Sequence, residues 1–160
     1  MDRNSALYRT IWRWHFYAAV YVLPFIILLS ITGALYLFKP QIDRWEERAF
    51  RGLDHARAVS PNEQLDAVLS AFPGARFHAY RLPEAKGDAA MIHVGLPDGK
   101  RMLDVFVSPS GDILGSLDPE SRITVFISRI HGELLAGRVG SWLVELAACW
   151  AIVMIATGLY

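Results

Sequence analysis

From Trp14 to Phe38 the chain runs through 25 residues without an Asp, Glu, Lys or Arg. Nothing else in the sequence limits the fold as strongly. The hydrocarbon core of a bilayer is about 30 Å thick and takes roughly 20 helical residues. A core helix of a soluble protein seldom runs this long without a charge, so the stretch reads as a transmembrane helix. It is too long for the apolar region of a cleavable signal peptide, which has about 7–15 residues, and no small-residue cleavage site follows. Pro24 is expected to kink it.

A second apolar run begins near Ser141 and continues to Tyr160, with Glu145 as its only charge. The chain stops while still apolar, so a longer protein is expected, of which this is the N-terminal part. Cys149 lies in this run and reads as a packing residue. A single cysteine cannot form an intrachain disulfide or a zinc cluster. The two runs share an echo, Thr32-Gly33-Ala34-Leu35-Tyr36 and Thr157-Gly158-Leu159-Tyr160. A small residue there lets helices approach closely.

Residues 39–120 differ in character, with ten basic and thirteen acidic side chains. The charge of the whole chain is zero, so no basic footprint points to a nucleic-acid partner. At 53% hydrophobic residues, it is also too apolar to be disordered. Lys39 to Ala58 reads as a solvated helix extension and a linker. Ser60-Pro61-Asn62-Glu63 has the pattern of a capping box with proline at the first helical position. Leu65, Val68, Leu69 and Phe72 then recur at helical spacing, and Pro73-Gly74 stops the helix. Strands are expected over 76–82, 89–96 and 100–107, with a short fourth over 112–117. Asp98-Gly99 signals a hairpin turn, and Leu103, Val105 and Val107 fall on one strand face.

The fold class expected is an α+β membrane protein. Two transmembrane helices flank a small extracytoplasmic domain, one helix on a three- to four-stranded antiparallel sheet. The divisions are 1–38 for the first span, 39–59 for extension and linker, 60–118 for the domain, 119–138 for an amphipathic helix and 139–160 for the second span. His55, His78 and His93 lie in the central region without metal-motif spacing, and read as surface or sheet histidines.

Two histidines stand apart. His15 lies at the start of the first span among Trp12, Trp14 and Tyr17. Aromatic and basic anchors suit a membrane interface and need no histidine. An ionisable group there is a functional candidate, and Ala18 and Ala19 leave room for a flat ligand. His131 follows an apolar face made by Ile123, Phe126, Ile127 and Ile130. His15 to Phe38 covers roughly 35 Å of helix. The two histidines therefore belong to opposite membrane faces and cannot ligate one iron within one chain.

Trp12-Arg13-Trp14-His15-Phe16-Tyr17-Ala18, Pro24-Phe25 and Ile31-Thr32-Gly33 resemble the first helix of the PepSY-associated transmembrane family. His131-Gly132-Glu133-Leu134-Leu135-Ala136-Gly137-Arg138-Val139-Gly140 resembles its His-x-x-Leu-Leu-x-Gly-x-x-Gly stretch, and the middle region is similar to a PepSY module. The family includes iron-regulated bacterial inner-membrane proteins and ferric-siderophore reductases. The resemblance implies a multi-pass inner-membrane protein with residues 39–138 or so facing the periplasm. It implies haem b, with His15 and His131 each one axial ligand and the partner ligands on later helices or another subunit. Arg13 and Arg138 would pair with haem propionates. The expected partners are the lipid bilayer, a ferric siderophore and the remaining helices. Members have about four membrane helices, and two of those are missing from this sequence. Basic residues are more frequent on the loop side, but the positive-inside rule weakens for loops beyond about 60 residues.

The resemblance also admits a membrane-anchored binding module that restrains or recruits a periplasmic protein such as a peptidase, and a scaffold subunit of a transport assembly. No nucleotide-binding loop, Ser/His/Asp set or metalloprotease motif is present.

Overall fold

The computed structural model describes residues 3–53 and 58–159. His55 lies outside the described residues. The chain divides into two compact units, one made of residues up to Lys39 together with Phe126 onward, the other of Pro40–Val125.

The first unit is a helix pair. Helix α1 spans Arg3–Leu37 and is continuous through Pro24. Helix α4 spans Ile123–Glu133 and α5 spans Gly137–Gly158. Both α1, from Ala6, and α5 are long and apolar enough to cross a membrane. Their contacts run in opposite directions: His15 meets Thr157, Tyr21 reaches the Leu143 carbonyl, and Thr32 meets His131. The pair is therefore antiparallel. Ala18, Val22, Ile127 and Ala147 are buried apolar residues of this unit among the described residues, and small side chains at such a seam let the backbones approach. Cys149 is exposed, not packed. It points away from the seam, where a membrane helix presents its surface to lipid or further helices.

The second unit is a four-stranded antiparallel sheet in the order β1-β2-β3-β4, formed by Arg76–Arg81, Ala90–Gly95, Met102–Val107 and Ile113–Leu117. Helix α3, Pro61–Ala71, begins with the expected capping box: Ser60 accepts from the Glu63 amide and Glu63 accepts from the Ser60 amide. Strand alternation sends Ile92, Val94, Val105 and Val107 to the face that α3 covers with Val68, and all five are fully buried. Each such side chain contributes roughly 1.5–3 kcal/mol. Leu65, Phe72 and Leu103 close the edges of this core.

The turn between β2 and β3 is wider than a two-residue hairpin. The Leu96 amide donates to the Arg101 carbonyl at 2.9 Å, and the Gly99 amide donates to the Leu96 carbonyl at 3.0 Å. Asp98 Oδ1 accepts from the Lys100 and Arg101 amides, both at 3.0 Å, which fills the loop with its own hydrogen bonds.

The segment expected to be a solvated extension and linker is largely ordered onto the sheet. Helix α2 covers Lys39–Glu46, and a 3₁₀ turn follows at Arg48–Phe50. Phe50 stacks on Phe106 with ring centroids 4.1 Å apart. A Cβ at Gly115 would come 3.3 Å from the Phe50 ring, so the glycine leaves the ring its space. The sheet face opposite α3 is thus also covered. Its charge is neutralised by a buried network: Arg122 donates to Glu47 at 2.8 Å and to Asp104 at 2.9 Å, and Arg81 donates to Glu47 at 2.5 Å. His93 completes it, with Nδ1 2.6 Å from Asp104. Burial works against the Arg122 charge, but the bonds to Glu47 and Asp104 overcome it and raise its pKa.

Candidate functional site

His15 and His131 both lie in the helix-pair unit, and each is seated on a Thr-Gly step of the opposing helix. His15 Nδ1 is 2.9 Å from Thr157 Oγ1. His131 Nδ1 is 2.9 Å from Thr32 Oγ1. A Cβ at Gly158 would meet His15 Cε1 at 3.4 Å, and one at Gly33 would meet His131 Cε1 at 3.5 Å. The Nδ1–Cε1 edge of each ring therefore lies against the step, and the Nε2 edge faces away from it.

Each threonine hydroxyl stands between two possible partners. A threonine hydroxyl has one hydrogen and its ring partner has one nitrogen facing it. Thr32 Oγ1 is 2.8 Å from the Leu28 carbonyl oxygen and Thr157 Oγ1 is 2.9 Å from that of Val153. The hydroxyl's single hydrogen serves one of two neighbours, the helix carbonyl or the ring Nδ1, and the tautomer of each ring decides which.

Thr32 lies 17 residues beyond His15 on α1, so the two seats are about 25 Å apart along the helix. Beside His15 is a cleft of about 250 Å³ lined by Tyr8, Ile11, Trp12, Thr157 and Gly158. Arg13 borders a neighbouring cleft with Tyr8, Arg9 and Trp12. The room expected from Ala18 and Ala19 is not beside the imidazole. Ala18 is buried in the helix seam, and lines a separate aromatic cleft with Trp14, Tyr17, Tyr21, Leu146 and Trp150.

The amphipathic helix expected over 119–138 is interrupted, and the interruption places His131. Helix α4 ends at Glu133, Leu134 and Leu135 take φ of 51° and 58°, and Gly137 takes 55°. Positive φ is costly for leucine. The Ala136 amide bonds the Glu133 carbonyl at 2.8 Å. Gly140 packs so closely that a Cβ would overlap the Glu133 carbonyl oxygen. The Leu-Leu-x-Gly-x-x-Gly spacing is thus a sharp corner between α4 and α5. Arg138 follows it, with its guanidinium carbon 5.5 Å from the centre of the Trp142 ring.

In the second unit, His78 and His93 lie edge to face with centroids 6.0 Å apart, His78 at a bulge in β1. Among the described residues, no three His, Cys, Asp or Glu side chains gather as a metal site. The threonines were not singled out as functional residues from the sequence. Their signal was the Thr-Gly echo, which reads there as a helix-packing device.

Comparison with curated proteins finds no match. The family described as PepSY-associated TM region matches residues 12–160, nearly the full length, and the chain belongs to that family.

Proposed function

We propose that this chain is part of a bacterial inner-membrane protein that binds haem b through His15 and His131 and reduces ferric iron held by a siderophore. The observation that carries this is the pair of imidazoles at opposite ends of an antiparallel helix pair, each held through Nδ1 by a threonine hydroxyl. The residues fit one side of such a group. Each seat supplies one imidazole, and the cleft beside His15 is walled by Trp12 and Tyr8. Haem supplies a one-electron iron couple when bound, and histidine ligation suits it to electron transfer.

The chain's own residues hold and orient. His15 and His131 offer Nε2, and Arg13 and Arg138 offer guanidinium forks for carboxylates. The second ligand at each seat comes from further helices or another subunit. In the balanced reaction, each electron leaves a reductant on the cytoplasmic side and converts one Fe(III) to Fe(II) in the periplasm. The central unit then faces the periplasm.

The test is the pyridine-haemochrome spectrum of the full gene product purified from membranes. His15→Ala and His131→Ala should each remove part of the haem absorbance, and the double variant nearly all of it. A folded protein without haem overturns the reading, and capture of a periplasmic peptidase by that haem-free protein would favour the binding-module function.

A further inference from the structure

We propose that Thr157 and Thr32 are positioning residues that hold His15 and His131 in the Nδ1–H tautomer and so keep each Nε2 available as an electron-pair donor. As far as it concerns haem, this rests on the function proposed above. The assignment of the tautomer does not.

The argument starts from the helix. A threonine inside a helix returns its hydroxyl hydrogen to a carbonyl one turn back, here at 2.8 Å from Thr32 and 2.9 Å from Thr157. That bond uses the only hydrogen the hydroxyl has. The exposed lone pairs of Oγ1 then face the helix seam and accept. An imidazole meeting them through Nδ1 must carry its hydrogen there. The opposite tautomer would require the hydroxyl to give up its helix carbonyl and turn its hydrogen to Nδ1.

The arrangement occurs twice, built from different parts of the chain. One histidine lies near the start of the apolar run of α1 and the other lies on α4. Both meet Thr-Gly, both through Nδ1 and Oγ1, and both at 2.9 Å. Thr32 is 4% exposed, so its hydroxyl is shielded from solvent that could otherwise substitute as acceptor. The glycine after each threonine lies beside the ring, where a Cβ would stand 3.5 or 3.4 Å from Cε1. Threonine thus takes the place that a carboxylate or backbone carbonyl fills behind many metal-binding histidines.

The experiment uses the full chain with ¹⁵N-labelled histidine, in lipid nanodiscs without haem, at alkaline pH. Long-range ¹H–¹⁵N correlations report the tautomer of each ring. Both His15 and His131 should be Nδ1–H. Thr157→Val, which keeps the shape and loses the acceptor, should move His15 toward Nε2–H and leave His131 unchanged. Thr32→Val should do the converse, and Thr→Ser at either position should restore the parent spectrum. The unaffected histidine serves as the internal control for folding. Haem titration of the same samples should show affinity about tenfold weaker for each valine variant and recovered by serine. Rings that are Nε2–H in the parent protein, or that ignore the valine changes, overturn the proposal even if haem binds. Tautomers that respond in a protein that takes up no haem uphold the proposal and overturn the haem reading.

Discussion

His15 Nδ1 lies 2.9 Å from the hydroxyl of Thr157, 142 positions later in the chain. The second such contact, Thr32 with His131, spans 99 positions. Helix α1 therefore gives a histidine to α5 at one end and receives one from α4 at the other. The same His–Thr contact thus occurs at both ends of α1.

The glycines of the two steps set the first expectation. A Cβ at Gly158 or Gly33 would stand 3.4 or 3.5 Å from the imidazole Cε1, which is ordinary contact. Gly158→Ala and Gly33→Ala should therefore keep haem uptake near the parent level. Valine adds two methyl groups at that contact and must displace the ring. Gly158→Val and Gly33→Val should weaken haem affinity about tenfold, as loss of a supporting contact does. Haem titration of the purified variants checks both halves.

How much of this was legible in the sequence depends on whether the cause was local. The α3 cap was readable because Ser60 and Glu63 satisfy each other within one turn. The strand faces were readable from alternation, as with Leu103, Val105 and Val107. Phe50 was not, because its value lies in Phe106, more than fifty residues away, and nothing near Phe50 announces that. Glu47 looked solvated for the same reason: its partners Arg81 and Arg122 come from elsewhere in the fold. His15 and His131 could be picked out by residue type and position. Their threonine seats could not, since the pairing joins opposite ends of the chain.

The corner after α4 gives a stronger steric test. At Gly140 any Cβ would overlap the Glu133 carbonyl oxygen, which belongs to backbone and cannot rotate away. Gly140→Ala should force α4 and α5 apart at the corner and displace His131. A loss of several kcal/mol is expected, about the cost of severe overpacking (~1–3 kcal/mol or more) added to a rearranged corner. Gly132→Ala is the control, because nothing lies within 4 Å of the Cβ it would add. Thermal unfolding in detergent should separate the two variants clearly.

Topology follows from the proposed periplasmic placement of the central unit. Asn62 lies in the exposed first turn of α3. In a Cys149→Ala background, Asn62→Cys should react with a membrane-impermeant maleimide in cells whose outer membrane is permeabilised. Leu7→Cys, on the terminal side of the first span, should react only after the inner membrane is opened. The reverse pattern would place the central unit in the cytoplasm.

Asp98 supplies a pH signature outside the membrane. The Arg101 guanidinium, then the Arg101 and Lys100 amides, hold its carboxyl down to about 2 from an ordinary 3.8. The folded value is depressed, so its contribution to stability is complete above the unfolded value near 4. It is lost as pH falls through about 2. Carboxyl NMR should place the Asp98 midpoint near 2. Arg101→Gln removes the largest cause and should raise that midpoint toward the ordinary carboxylate range.

The network around Arg122 separates breaking a buried charge cluster from replacing it. Glu47 is 3% exposed, Asp104 4% and Arg122 8%. One planar guanidinium bridges both carboxylates, at 2.8 and 2.9 Å. Arg122→Met leaves two carboxylates buried without their shared cation, and should destabilise the central unit by about 3–5 kcal/mol. Arg122→Lys should recover only part, since an ammonium lacks the fork that reaches two acceptors at once. Adding Glu47→Gln and Asp104→Asn to Arg122→Met removes the stranded charges. That triple variant should be more stable than Arg122→Met alone, although it has lost every ion pair that Arg122 makes. Denaturant-dependent proteolysis of the central unit measures the order. A triple variant no better than the single one would mean that the pairs stabilise by attraction, not by cancelling the cost of burying charge.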